Sequence, residues 1–212
     1  MGGCTNPTRA SASRRPSHFQ PPVLPRPFFQ TDPLVCAREL VGSTLVWGRC
    51  SGVIVETEAY LTENDEACHT FRRPSTRSFV ERNQPGTAYI YFNYGVHWML
   101  NVLVKGGPRN GLILIRALEP KRGLALMKAR RGVQDVRRLC SGPGKLTQAF
   151  NIAERHHEMD LCSHPRHCFV TRKSSDVQVI ADPRIGISRS KEYHWRFTLR
   201  GNPFVSRPAK MG

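Results

Sequence analysis

The chain has 212 residues, enough for one good-sized core and short of two. Its 32 Lys and Arg against 16 Asp and Glu leave a formal charge of +16, the electrostatic footprint of a protein that binds a polyanion such as nucleic acid. An anionic membrane is the other polyanion, but there is no long apolar run and no amphipathic anchor. Seven cysteines, an odd number without repeated spacing, argue for reduced thiols and against a disulfide framework.

The first acidic residue is Asp32. The stretch before it, "TRASASRRPSHFQPPVLPRP", is rich in Ser, Pro and Arg and predicts a disordered basic tail over 1–27. A transit peptide shares that composition, whereas a secretory signal would need an apolar centre. "MGGCTN" departs from the myristoylation pattern at Asn6. From Phe28 to Val46 a helix is predicted, with Thr31 as the N-cap, Asp32 at the positive end of its dipole and Pro33 just inside.

Strands follow. "GVIVETEAYL" alternates Val53, Val55, Thr57 and Ala59 on one face with Ile54, Glu56, Glu58 and Tyr60 on the other. "TAYIYFNYGVHWMLNVLV" reads as two strands around "NYG", with Tyr89 and Tyr91 on one face and Ile90 and Phe92 on the other. "GLILIRAL" is a buried strand. "RGLALMKARR" and "GPGKLTQAFNI" have helical spacing, and "FVTR", "VQVIADPRIGI" and "HWRFTLRGNPFVS" return to strands. No internal repeat or composition break marks a second domain. The fold class is therefore α+β: a single domain with a curved, mainly antiparallel sheet and flanking helices.

A carboxylate on an apolar strand costs several kcal/mol unless it is paired or wetted. Glu56 and Glu58 thus have either a structural ion pair, for which Arg116 in "LILIRAL" is the natural partner, or chemistry to perform. Tyr60, Tyr89 and Tyr91 are either core tyrosines with bonded hydroxyls or stacking surfaces for bases. Tyr94, in the "NYG" link, is placed to project from a hairpin tip, where apolar wedges can enter a duplex. "CSGPGKLTQ" is not a phosphate-binding P-loop, because Leu146 follows Lys145 where Ser or Thr is required. Lys145 and the backbone N–H groups that open this helix could still grip one phosphate. "CSHPRHC" offers Cys162, His164, His167 and Cys168 packed around a proline, a poor match to a tetrahedral zinc site.

Six stretches in one order carry a resemblance: "FFQTDPLVCARELVGSTLV", "GVIVETEAYLTENDEACHT", "PGTAYIYFNYGVHWMLNVLV", "LIRALEP", "LCSGPGKLTQAFNI" and "PRIGIS…WRFTLRGNPFVS". Together they span most of Phe28 to Ser206, and the chain resembles the alkyladenine (3-methyladenine) DNA glycosylases. "RIGIS" and "GNPFVS" look like the bacterial branch. The resemblance implies a glycosylase domain over 28–207 followed by a short tail over 208–212. It implies a monofunctional enzyme of base excision repair that flips damaged purines out of double-stranded DNA and hydrolyses the N-glycosidic bond. By that resemblance Glu58 deprotonates the attacking water, which Arg116 and the Val205 carbonyl also hold. Tyr60, His69 and Tyr91 sandwich the base, and Asn101 crowds the 2-amino group of normal guanine. Tyr94 fills the gap in the duplex, with Tyr89 and Lys145 at the DNA.

The family's usual "TPRN…MF" stretch reads "PSTRSFVERN" here, with Ser78 in place of the asparagine, and Cys68 stands where alanine or serine is usual. No metal or organic cofactor is implied, no membrane and no partner subunit. The compartment implied is the cytoplasm, at the nucleoid, in a bacterium, or the nucleus or an organelle in a eukaryote. Alkylated purines such as 3-methyladenine are cationic, so a tyrosine cage would attract them by cation–π as well as by stacking. Two rivals are a non-catalytic nucleic-acid-binding module, in which Glu58 is dispensable, and an RNA-directed hydrolase, which would prefer A-form geometry.

Overall fold

The computed structural model describes residue 1 and residues 22–172, 174 and 176–209. Most of the predicted N-terminal tail lies outside these. The predicted boundary at residue 27 falls within a docked stretch. The Leu24 N–H donates to the Phe169 carbonyl at 2.8 Å, the Thr171 N–H to the Pro22 carbonyl at 3.0 Å, and Arg26 pairs with Asp160 at 2.7 Å.

Helix α1 runs Pro33–Leu40, shorter than the predicted 28–46. Its N-cap is Asp32, whose carboxylate accepts from the Leu34 N–H at 2.8 Å, while Thr31 bonds the Phe28 carbonyl instead. The helix stops because Val41 is extended and Gly42 takes a φ of +89°, so the chain reverses into a strand that the sequence reading had absorbed into the helix.

That strand is β1 (Thr44–Trp47), followed by β2 (Cys50–Leu61), β3 (Ala88–Asn93), β4 (His97–Val104) and β5 (Gly111–Arg122). Strands β6 (His167–Val170), β7 (Val179–Asp182) and β8 (Arg196–Leu199) complete an antiparallel sheet in the order β3-β4-β5-β2-β1-β6. Strand β8 joins β2 beyond the end of β1, and β7 pairs with β8. The predicted C-terminal strands are shorter than their sequence patterns. Pro183 ends β7, so "RIGI" is a loop, and "NPFVS" is a loop as well.

The strict alternation predicted for β2 fails at one point. Register shifts between Ile54 and Thr57, where the strand exchanges β1 for β8 as its neighbour. Ile54 therefore joins the main core with Ala59, and Thr57 donates to the Ala37 carbonyl at 2.8 Å. Glu56, Glu58 and Tyr60 keep the opposite face, as their shared hydrogen-bond partners show.

Period-two alternation then sorts the rest of the sheet. Leu100, Val102, Val104, Ile113 and Ile115 enter the main core, with Leu146 and Phe150 of α5 (Pro143–Phe150). Their neighbours Asn101, Leu103, Leu112 and Leu114 look the other way. There a smaller cluster of Cys68, Phe79, Tyr89, Leu103 and Leu112 forms under α2 (His69–Arg72) and α3 (Pro74–Arg82), and Tyr60 and Tyr91 pack on it. Helix α4 (Leu124–Arg131) follows β5, as its spacing predicted. The sheet thus has an apolar core on one face and a mixed aromatic and charged face on the other.

Candidate active site

A cavity of about 490 Å3 opens on the mixed face, within the roughly 300–1,000 Å3 typical of small-molecule sites. Its walls are the strand residues Tyr60, Tyr91, Asn101 and Arg116, with His69 from α2 and Ile185 from the loop after β7. Four of these were predicted base-pocket residues, and they come from three strands and a helix.

His69 and Tyr91 meet edge to face at 4.2 Å between centroids. The His69 Nδ1 lies 3.1 Å from the Tyr89 hydroxyl, which also meets Thr76 at 2.8 Å. Burial, with the Arg73 guanidinium, pulls the His69 pKa down to about 4, so the ring is neutral near pH 7. Asn101 is 3% exposed and donates to the Tyr89 carbonyl at 3.3 Å. Tyr89, expected at the DNA, is 6% exposed, lines the cavity and holds His69 through its hydroxyl. Its place on the cavity face of β3, over the Phe79 cluster, buries it.

Glu58 is fully buried at the inner end of this site. Its Oε2 accepts from the Tyr60 hydroxyl at 2.7 Å and from Arg116 at 3.1 Å, and its Oε1 accepts from the Ile185 N–H at 2.7 Å. Burial raises its pKa above the usual carboxylate range, a shift that Arg116, the Ile185 N–H and Tyr60 only partly offset. Glu58 does not itself line the cavity, but Tyr60 and Arg116, which do, each bond its carboxylate.

Glu56, one turn of the pleat away, is a different kind of carboxylate. It accepts from Arg116 at 2.9 Å, from Arg196 at 2.8 Å, and from the Ser206 N–H and hydroxyl at 2.6 and 2.8 Å. Burial pushes its pKa up, but the two guanidiniums and the Ser206 N–H outweigh that and hold it below the usual value. Both acids of "VETEAY" pair with Arg116, as the ion-pair reading expected; Glu56 is saturated by a second arginine and Ser206, whereas Glu58 is the carboxyl beside the cavity.

Tyr94 is 86% exposed at the β3–β4 tip, where it and Gly95 take φ values of +50° and +66°. It lines the cavity, as does Pro143 at the start of α5, and Lys145 stands exposed two residues further on. Val205 is not among the cavity-lining residues. It sits beside Ser206, at the Glu56 end of the network.

Sequence reasoning missed the second layer. Arg184 forms a bidentate pair with Asp65 at 2.6 and 2.8 Å, both nearly sealed from solvent. Asp65 also accepts from the Leu61 and Ala67 N–H groups, so this pair ties the end of β2, the loop into His69 and the Ile185 loop together. The signal was present: an arginine and an aspartate inside quoted motifs, "PRIGIS" and "ENDEACH", with no assigned partner. Arg77, from the divergent "PSTRSFVERN" stretch, bonds the Thr70 carbonyl at 2.6 Å and links α3 to α2. The Cys68 thiol accepts from the Thr70 hydroxyl at 3.2 Å.

A family model for the methylpurine-DNA glycosylases matches residues 27–203. This chain belongs to that family. A relative from Rhodopseudomonas palustris is 42% identical over 187 residues, covering 88% of this chain and 89% of that one. One from Nitrosospira multiformis is 43% identical over 180 residues, covering 85% and 92%, and one from Rhizobium etli 42% over 183, covering 86% and 88%. Each carries the name "Putative 3-methyladenine DNA glycosylase". The chain is accordingly a DNA glycosylase, a hydrolase of N-glycosyl bonds acting on DNA, and these relatives are bacterial as its closing motifs suggested. Among the described residues no helix is long and apolar enough to cross a membrane.

Proposed function

We propose that this glycosylase flips a damaged purine out of duplex DNA into the cavity and hydrolyses its N-glycosidic bond with a water that Glu58 activates. The observation that carries this reading is a buried carboxyl of raised pKa, one hydrogen bond from two cavity-wall residues, Tyr60 and Arg116. A carboxylate offers about four lone-pair sites and the named donors fill three, which leaves one for a water. Arg116 has N–H groups beyond the two that bond Glu56 and Glu58, and these can orient that water at the cavity floor.

In the reaction the water oxygen bonds C1′, the C1′–N electron pair leaves with the purine, and Glu58 takes the water's proton. The carboxylate also faces the positive charge that develops on the sugar. Tyr60, His69 and Tyr91 hold the extruded base, and Asn101 screens the purine 2-position. Tyr94 occupies the space in the duplex while Lys145 and the other surface cations hold the backbone. Flipping costs a few kcal/mol and least for a damaged base (glycosylases are among that rule's own cases), so the substrates are lesions such as hypoxanthine, ethenoadenine, 3-methyladenine and 7-methylguanine.

The test is base release from DNA duplexes carrying one defined lesion, with matched RNA duplexes and Glu58→Gln alongside. Wild type should release base from DNA, and Glu58→Gln should bind the same duplex while losing roughly 100- to 10,000-fold in rate. Full activity in Glu58→Gln would reject the role of Glu58, and a preference for RNA would reject the substrate.

A further inference from the structure

The Ile185 amide fixes one oxygen of Glu58, and the loop that carries it is fastened by the residue before it. The Arg184 fork grips Asp65 at 2.6 and 2.8 Å, with both side chains sealed from solvent. Its Nη1 also donates to the Ala59 carbonyl at 3.0 Å, and its Nη2 to the Ser190 carbonyl at 3.2 Å. Ala59 lies between Glu58 and Tyr60 in β2, and its own N–H donates to the Trp195 carbonyl at 2.9 Å. One guanidinium thus ties both ends of the 185–190 loop to the strand residue next to Glu58.

Stability alone is a weak reason for such a pair. Two ions taken out of water regain little net free energy, and apolar side chains of similar volume often serve as well or better. What an apolar pair does not supply is direction. A bidentate fork is fixed in plane and distance, so Arg184 sets where the peptide N–H that follows it points. The carboxylate that this N–H meets has about two acceptor sites on each oxygen. Tyr60 and Arg116 fill those of Oε2, while the Ile185 N–H takes one on Oε1.

We propose that Arg184, clamped by Asp65, is a positioning residue of the reaction: it holds the Ile185 amide on Glu58 Oε1 and so presents the second lone pair of that oxygen to the attacking water. The inference rests on Glu58 being the base that activates the water. Oε1 is then the atom that takes the water's proton, as the water oxygen bonds C1′ and the C1′–N electron pair leaves with the purine. Neither Arg184 nor Asp65 is among the residues that line the cavity. Their effect passes through one backbone N–H and not through contact with the base.

The experiment is single-turnover base release across pH, from a duplex carrying one lesion that the wild type releases, with two changes made singly and together. The first exchanges only the Ile185 N–H for oxygen, an amide-to-ester replacement made by incorporating the α-hydroxy acid of isoleucine. Every side chain stays in place. Losing a donor to the charged form should move the acid limb to higher pH, and the plateau rate should fall by up to roughly 100-fold, the cost of an ångström of misplacement. The second change, Arg184→Lys, keeps the cation without the planar fork and should move the limb in the same direction. In the ester chain Arg184→Lys should move it less or not at all, because changes that act by one route do not add.

An ester chain whose limb stays in place overturns the proposal. Arg184→Lys overturns it with a wild-type limb, the mark of a merely structural pair, or with a limb at lower pH, the mark of water entering around Glu58. A shift of undiminished size in the ester chain would mean that Arg184 acts through the Tyr60 ring, whose centroid is 4.6 Å from its Cζ, and overturns it too. If Arg184→Lys does not fold, Asp65→Glu, which keeps the charge and displaces the fork, is read by the same criteria. Full activity in Glu58→Gln defeats the reading of Glu58 itself, whereas an unmoved limb beside an inactive Glu58→Gln defeats only the role of Arg184.

Discussion

The Ile185 backbone N–H donates to the Glu58 Oε1 at 2.7 Å, joining residues 127 positions apart. One partner is a strand side chain and the other a loop amide delivered by the buried Arg184–Asp65 clamp next to it. The carboxyl is thus oriented by backbone on one oxygen and by Tyr60 and Arg116 on the other.

On the proposed reading Glu58 acts as the carboxylate; burial raises its pKa, so base release should be lost as pH falls, with the acid limb above the ordinary value for a glutamate. The Tyr60 hydroxyl lowers that pKa by bonding the charged form. Tyr60→Phe, which keeps the ring, should move the acid limb to higher pH in single-turnover rate profiles. An unmoved limb would remove Glu58 as the titrating group.

Glu56 should behave as a stability residue. Glu56→Ala leaves Arg116 and Arg196 buried without their shared carboxylate, and breaking such a network costs about 3–5 kcal/mol. The urea midpoint reads that loss directly. A midpoint near wild type would mean the network is relieved by solvent.

Tyr94→Ala should leave stability within about 0.5 kcal/mol, since the side chain is 86% exposed. Base release from a duplex should nevertheless fall, by roughly 5- to 150-fold if the ring's stacking is worth what base–aromatic contacts usually are. Release from a lesion in a single strand, where no gap needs filling, should fall less.

His69 contributes to acid sensitivity of the fold. Its folded pKa is about 4 against an ordinary 6.5, so between those values the unfolded chain takes up a proton that the folded one refuses. Stability should therefore decline as pH drops from about 6.5 toward 4, and His69→Gln should flatten part of that slope in denaturant titrations. A slope unchanged by the substitution would show the ring protonates freely in place.

Much of the site was legible because strand geometry is local. Alternation alone put Tyr89 with Tyr91, and Glu56 and Glu58 with Tyr60, on their respective faces, and "NYG" marked the hairpin that exposes Tyr94. Arg116 was found by chemistry, as the cation in an apolar strand that two acids require. The helix over 28–46 was misjudged because apolar spacing continues past Leu40, while the stop is a backbone event at Val41 and Gly42. Helix α3 lay in the divergent stretch and α2 just before it, and their short, polar patterns carry no strong period.

By itself, the amino-acid order determined the charge that seeks DNA, the faces of the central strands and the cluster of aromatic and acidic residues on one of them. Only the tertiary structure decided that Glu56 is saturated by two arginines while Glu58 adjoins a cavity, that the Tyr89 hydroxyl meets His69 and Thr76, and that a guanidinium lies over the Tyr60 ring. The physical reason is range. Periodicity records which way a side chain points relative to its neighbours in sequence. Burial, pKa and ring contacts depend on partners from 20 to 150 positions away, on other strands, helices and loops, which no local period records.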